Sequence, residues 1–416
     1  MNDKILEQRV EEIVNQTKII DIHTHLFGPE FGDLFLYGID KLLTYHYLIA
    51  EYFTYEKDLT PEEFYKFSVE KQAELVWNKI FIENTPVSEA ARGVVTVLSK
   101  LGISVKEKNL NKIREYFNNI DLDKYIELVF KTANIKYVVM TNNPFNEKER
   151  KIWLSGKIRH NKFKTALRID DLLFDFKKVI SVLSKEGMDI NDSFDKKTVD
   201  NIKKFFSKWI KLINPLYVMC SVPPDFQYPS KDEFVNKVLD EILMPIIKKY
   251  NLPFALMFGV RRQVNPSIKL AGDAVGRSDT DTILNLVKNN PDVKFLMTFL
   301  SRENIHETAV FARKFNNLML FGCWWFTNIP YLIDEIVRIR MELVGLNFIP
   351  QHSDSRVFEQ LIYKWEHFKS ILIKILAEKY NDLIARGWYI TDNEIKRDVE
   401  NLLGGRFESF LELNGS

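Results

Sequence analysis

The sequence predicts an α/β protein of the (β/α)₈, or TIM, barrel class, with a helical insertion after the first strand and capping helices at the C-terminal end. Three observations carry this. Eight short apolar runs are separated by amphipathic helical patterns. The runs are apolar on both faces, as parallel strands covered by helices are. No GxGxxG follows any of them, which removes the main support for a doubly wound dinucleotide-binding sheet.

Residues Asp3 to Asn15 read as an amphipathic helix, with Ile5, Leu6, Val10 and Ile13 on one stripe. TKIIDIHTHLFGP follows, a β-branched strand ended by Gly28-Pro29. From about Gly38 to Ala133 strand signals are scarce. Helices are expected around Leu42–Leu48, Pro61–Val69, Lys71–Ile82, Val87–Leu101 and Asn109–Asn118. That stretch is too long for one crossover and reads as an inserted subdomain. The remaining strand runs are IKYVVMT, KTALRID, LYVMCSV, LPFALMFGV, VKFLMTFL, NLMLFGCWW and LNFIPQHSD. Helical patterns lie between them at Val199–Leu212, Lys231–Tyr250, Thr280–Asn289, Asn304–Phe315 and Pro330–Glu342. From Phe358 onward the chain reads as long capping helices. The expected division is 1–37 (N-terminal helix and first strand), 38–134 (helical insertion) and 135–416 (the rest of the barrel and the C-terminal helices).

Composition narrows the function classes. Lys plus Arg number 58 against 57 Asp plus Glu, a net charge of +1, so there is no overall electrostatic case for nucleic acid or an anionic membrane. Two cysteines, Cys220 and Cys323, cannot make a disulfide framework and suit a reducing compartment. No apolar run reaches the ~18 residues of a spanning helix. The N-terminus lacks the apolar core of a signal peptide, so a cytoplasmic location is expected.

The sharpest local signal is His23-Thr24-His25 at the end of the first strand. Residues two apart on a strand share a face, so the imidazoles converge as two metal ligands would. A bare HxH can also be an ordinary polar strand end. Its place at the catalytic end of a barrel strand favours the functional reading. Asp354, in QHSDSR, ends the eighth run. First and eighth strands are neighbours in a closed barrel, so Asp354 can complete a His-His-Asp site. Nitrogen and carboxylate ligands suit Zn²⁺ first, with Mn²⁺ or Fe²⁺ as alternatives, and three ligands leave a position open. The competing use of Asp354 is a pair with Arg356. His46 and Tyr47 in TYHY are either an active-site pair brought over the mouth or a helical His among core tyrosines. Arg168, at a strand end, needs an anion: Asp170 or a substrate carboxylate. Trp324-Trp325 offers a flat face to a sugar-like ring, with core packing as the alternative.

DIHTH, TYHY, LRID, FGCWWF and SDSR occur in the order in which uronate isomerases of the amidohydrolase superfamily carry them, and the chain resembles that family over nearly its whole length. It is most similar to a shorter, divergent branch that includes a Bacillus enzyme. The resemblance implies interconversion of D-glucuronate with D-fructuronate, or D-galacturonate with D-tagaturonate, through a cis-enediol. It implies one divalent metal on His23, His25 and Asp354. Tyr47, Asp354, His46 and His25 become candidates for proton transfer, and Arg168, Arg356, His46, Trp325 and Trp365 for holding the hexuronate. It leaves a homo-oligomer open. Two departures stand out. Met257 occupies the fifth strand where many members have His, and Ser353 precedes Asp354 where they have Thr. The binuclear hydrolases of the superfamily use a fourth-strand Lys and fifth- and sixth-strand His. VMCSV, ALMFGV and FLMTFL have none, and His306 lies beyond the sixth strand. A mononuclear metal-dependent hydrolase, with Asp354 as base, is the rival enzyme. A barrel that only binds acidic sugars is the non-enzyme alternative.

Overall fold

The computed structural model describes residues 3–156 and 161–412. Seven parallel strands form one sheet in chain order: β1 (Ile19–Thr24), β2 (Ile135–Asn142), β3 (Phe163–Arg168), β4 (Val218–Val222), β5 (Phe254–Phe258), β6 (Phe295–Phe299) and β7 (Leu318–Leu320). From β2 onward neighbours pair in simple register, as in Val218↔Phe254 and Phe254↔Phe295. Nearly every strand position is buried, because helices cover the outer face and side chains fill the inner one. Ile20, Val139, Met219, Met257, Leu296 and Met319 belong to the inner layer.

The eighth run does not form a regular strand. It nevertheless joins both sheet edges. Ile349 donates to the Leu320 carbonyl (3.0 Å) and accepts from Gly322 (2.7 Å), while His25 donates to Ser355 (2.8 Å) and Asp354 to His23 (3.2 Å). Pro350 has no N–H to give a ladder, and Asp354 sits in the left-handed region at φ +55°. The strand expected over 346–354 is therefore replaced by a bend.

Between β1 and β2 lie helices at Ile39–Leu43, His46–Tyr55, Pro61–Phe64, Val69–Val76, Glu89–Lys100, Leu110–Asn118 and Leu122–Ala133. The Val69–Val76 helix continues as a π-helical turn, Trp77–Ile82. The last helix of this stretch was not foreseen, nor were Glu147–Leu154, Asp170–Phe174 and Phe176–Lys185, nor a small antiparallel hairpin pairing Val260–Arg261 with Ala274–Val275. Glu147–Leu154 and Asp170–Phe174 are too short for the apolar period to repeat, whereas Leu122–Ala133 and Phe176–Lys185 are long enough to show it. The long helix Gln360–Ala385 packs on the N-terminal helix Asp3–Gln16 and on Glu89–Lys100. Gly93 allows the second contact, because a Cβ there would lie 2.7 Å from the Tyr363 ring. No helix among the described residues is long and apolar enough to cross a membrane.

Candidate active site

The His23/His25 pair owes its aim to a bulge. Asp21 pairs with Val138 and Thr24 with Met140, so β1 spends one residue more than β2 over that span. Ile20 and Ile22 face the barrel interior. The extra residue lets His23 turn inward as well, where plain alternation would have pointed it out. Asp21 faces away from the interior layer: its carboxylate accepts from the Ser353 N–H (3.1 Å) and from the Trp365 indole (2.8 Å).

His23 Nε2 and His25 Nε2 lie 3.5 and 3.3 Å from the same oxygen, Asp354 Oδ1. The three donor atoms fall within 4.8 Å of one another. The outer nitrogens fix the tautomers. Thr141 donates its hydroxyl proton to the Thr24 carbonyl (3.2 Å), so its oxygen faces His25 Nδ1 (3.2 Å) as an acceptor. Tyr217 donates to the Ile22 carbonyl (2.6 Å) and faces His23 Nδ1 at 3.4 Å in the same way. Both imidazoles thus carry the proton on Nδ1 and turn a lone pair towards Asp354. Burial, aided by the positive charge of Arg356, lowers the His25 pKa to about 3, so the ring is neutral. Burial alone would push the Asp354 carboxyl up; positive charge at the facing Nε2 atoms of His23 and His25 holds it well below the usual range. His23 Nε2 and Asp354 Oδ1 are buried with no hydrogen-bond partner among the described residues. Three electron-pair donors converging without a proton between them form a site that a divalent metal would fit.

His46 and Tyr47 open the helix His46–Tyr55. His46 meets Trp325 edge-on (5.4 Å) and Tyr47 lies parallel to the same ring (6.4 Å, 13°). Burial, then the Arg356 charge, holds His46 well below its ordinary pKa. Burial, then the neighbouring Tyr45, pushes Tyr47 well above its own. Arg356 is half-buried, and among the described residues its guanidinium has no carboxylate within ion-pair distance. It lies two residues along the chain from Asp354, and its charge lowers the pKa of His25 and His46. The Asp354–Arg356 pair considered from sequence does not form. Arg168 does pair with Asp170, at 2.7 Å.

Two aromatic candidates sit differently from the expectation. Trp365 is fully buried, with its N–H on Asp21, so it braces the back of β1. Trp325 does not offer a free face. It stacks on Phe326 (4.9 Å, 14°), but its buried indole N–H has no partner among the described residues. Trp324 is core, and its backbone bonds Thr327.

Sequence reasoning missed Thr141 and Tyr217, which orient the imidazoles, and Lys364. Lys364 is buried, pairs with Glu89 at 2.7 Å and lies 5.6 Å from the centroid of the Tyr47 ring. A lysine within the otherwise apolar, buried start of helix Gln360–Ala385 was the available signal.

A uronate isomerase from Bacillus halodurans is similar to this chain at 44% identity, covering 99% of this chain and 97% of that one, with a TM-score of 0.96. A uronate isomerase from Thermotoga maritima (14% identity, 98% and 97% covered, TM-score 0.78) and a glucuronate isomerase from Caulobacter crescentus (14%, 100% and 95%, 0.76) share the fold. No family model matches the chain, and no curated protein does.

Proposed function

The chain belongs to the uronate isomerase family, and we infer from this and from its site that it is an aldose–ketose isomerase of hexuronates, converting D-glucuronate to D-fructuronate, D-galacturonate to D-tagaturonate, or both. The observation that carries the assignment to this site is Arg356, two residues along the chain from Asp354 of the His23, His25 and Asp354 cluster, with a half-buried guanidinium that has no carboxylate partner among the described residues. A guanidinium half withdrawn from water at the mouth suits an anion, and the C6 carboxylate of a hexuronate supplies it. A neutral amide or ester would leave it unpaired.

The reaction moves a proton from C2 to C1 of the open-chain sugar through a cis-enediol. The neighbouring groups are already sorted for it. Asp354 is ionised and able to accept a proton, whereas Tyr47 is held as the neutral phenol and able to donate one. His25 and His46, both neutral, are available to relay or receive hydrogen bonds. Arg356, with the remaining donors of Arg168 and with His46, would hold the C6 carboxylate. The unpartnered Trp325 N–H suits a substrate oxygen. A divalent metal on His23, His25 and Asp354, with Zn²⁺ first and Mn²⁺ or Fe²⁺ as alternatives, supplies Lewis-acid polarisation of substrate oxygens, worth several kcal/mol. We read the segment 38–134 as an inserted helical subdomain whose service to the reaction is to bring His46 and Tyr47 over the barrel mouth.

Incubation with D-glucuronate and with D-galacturonate, followed by detection of the ketose by NMR, tests the reading. Ketose from at least one uronate is expected. Hydrolysis of amides or esters with no ketose from either sugar would replace it with the mononuclear hydrolase.

A further inference from the structure

The backbone that delivers Asp354 is held by side chains where a barrel strand would be held by its neighbours. Asn328, buried after the short turn Trp325–Thr327, donates its amide to the carbonyls of His352 (3.1 Å) and Ser353 (3.4 Å). Its Oδ1 accepts from the Gln351 amide at 2.9 Å. One side chain therefore grips the three residues before Asp354. The Asn328 carbonyl in turn accepts from Lys364 Nζ (3.2 Å), and Lys364 pairs with Glu89 at 2.7 Å, both nearly excluded from solvent. A left-handed aspartate persists only where its surroundings over-determine it. A buried ammonium likewise needs its carboxylate.

We propose that Asn328, seated on the Lys364–Glu89 pair, is a positioning residue that sets the Asp354 carboxylate against His23 and His25. The brace ties three distant stretches together. Glu89 comes from the helices between β1 and β2, Lys364 from the C-terminal helix, and Asn328 from the loop after β7. It satisfies carbonyls that a regular ladder would have used, and so stabilises the bend in place of a strand. The inference rests on the reading of the cluster as a metal site.

The test measures Zn²⁺ affinity of the full chain by competition with a chromophoric chelator, and the visible spectrum of the Co²⁺-loaded protein. Asn328→Asp keeps the shape and the acceptor for Gln351 but deletes the amide donors. Its affinity is expected to fall 10- to 100-fold, the range for residues that orient ligands, with an altered Co²⁺ spectrum and a near-wild-type Tm. Lys364→Gln keeps a donor to the Asn328 carbonyl without the charge, and is expected to weaken Zn²⁺ less. It also serves as the second reading if Asn328→Asp does not fold. Folded variants with wild-type affinity and spectrum would overturn the inference alone. A wild-type chain that takes up no Zn²⁺ would overturn the site reading and this inference with it.

Discussion

The two ends of the barrel solve opposite problems. At the N-terminal ends of the strands a cavity of about 770 Å³ opens between β1, β2 and the C-terminal helices. Its charged lining is wet and paired: Lys136 meets Glu408 at 2.9 Å, with both side chains more than a third exposed. At the other end the polar groups are dry. His23, His352 and Ser355 are buried, and His23 Nε2, Asp354 Oδ1, Trp325 Nε1 and Ser355 Oγ have no hydrogen-bond partners among the described residues. Leaving a desolvated polar atom unpaired costs ~1–3 kcal/mol. The presence of a cavity does not by itself mark the chemistry. The chemistry is marked by what the fold leaves desolvated and unsatisfied.

Breaking the dry end should have the largest effect. Asp354→Ala is expected to drop bound metal from about one equivalent per chain to none, by elemental analysis, and to lower kcat by ~10²–10⁴. Retained metal with unchanged kcat would show that the cluster is ornamental.

Stability should carry the same contrast. Glu149, in the helix that follows β2, is buried, and burial raises its pKa to about 7 against the hydrogen bonds from Asn143 and Asn142. A carboxyl raised in the folded state binds its proton more tightly there than in the unfolded chain. Its contribution is therefore present at low pH and is lost as pH rises from about 4.5 to about 7. Denaturant titrations of wild type and Glu149→Gln should diverge across that window by about 3 kcal/mol, with the wild type losing ground. Parallel curves would contradict the assignment.

Tyr47→Phe deletes one hydroxyl and keeps the ring. A fall in kcat of about 10² with little change in KM is expected if the phenol carries or holds the proton. A merely structural Tyr47 would lower Tm and leave kcat in place. At the wet end, Lys136→Ala should change stability by less than ~1 kcal/mol and leave kcat/KM alone. A large loss of activity there would abolish the distinction between the ends.

The sequence made part of this legible. HxH at a strand end and a carboxylate seven runs later announce themselves, because strand period and barrel closure are repeating rules. The means by which they meet are not repeating. The β1 bulge reverses the facing of His23, and only pairing with β2 reveals it. The left-handed Asp354 depends on contacts with residues 23, 328 and 21, far away in the chain. Thr141 and Tyr217 look like ordinary strand residues until they are seen to fix the imidazole protons. Gly322 is similar. At φ +62° its missing Cβ leaves room for the buried His352 ring, which that atom would meet at 1.8 Å.

The measurement closest to the central claim compares kcat/KM for D-glucuronate and D-glucose in wild type and in Arg356→Lys. Lysine keeps the charge but loses the planar fork. If Arg356 holds the C6 carboxylate, wild type strongly prefers the uronate. The variant should keep its metal, and its kcat/KM for D-glucuronate should fall by a factor worth ~1.5–3 kcal/mol. Glucose should turn over poorly with either protein. A wild-type enzyme that isomerised glucose as readily as glucuronate would contradict the carboxylate clamp, and with it the assignment of hexuronate chemistry to this site.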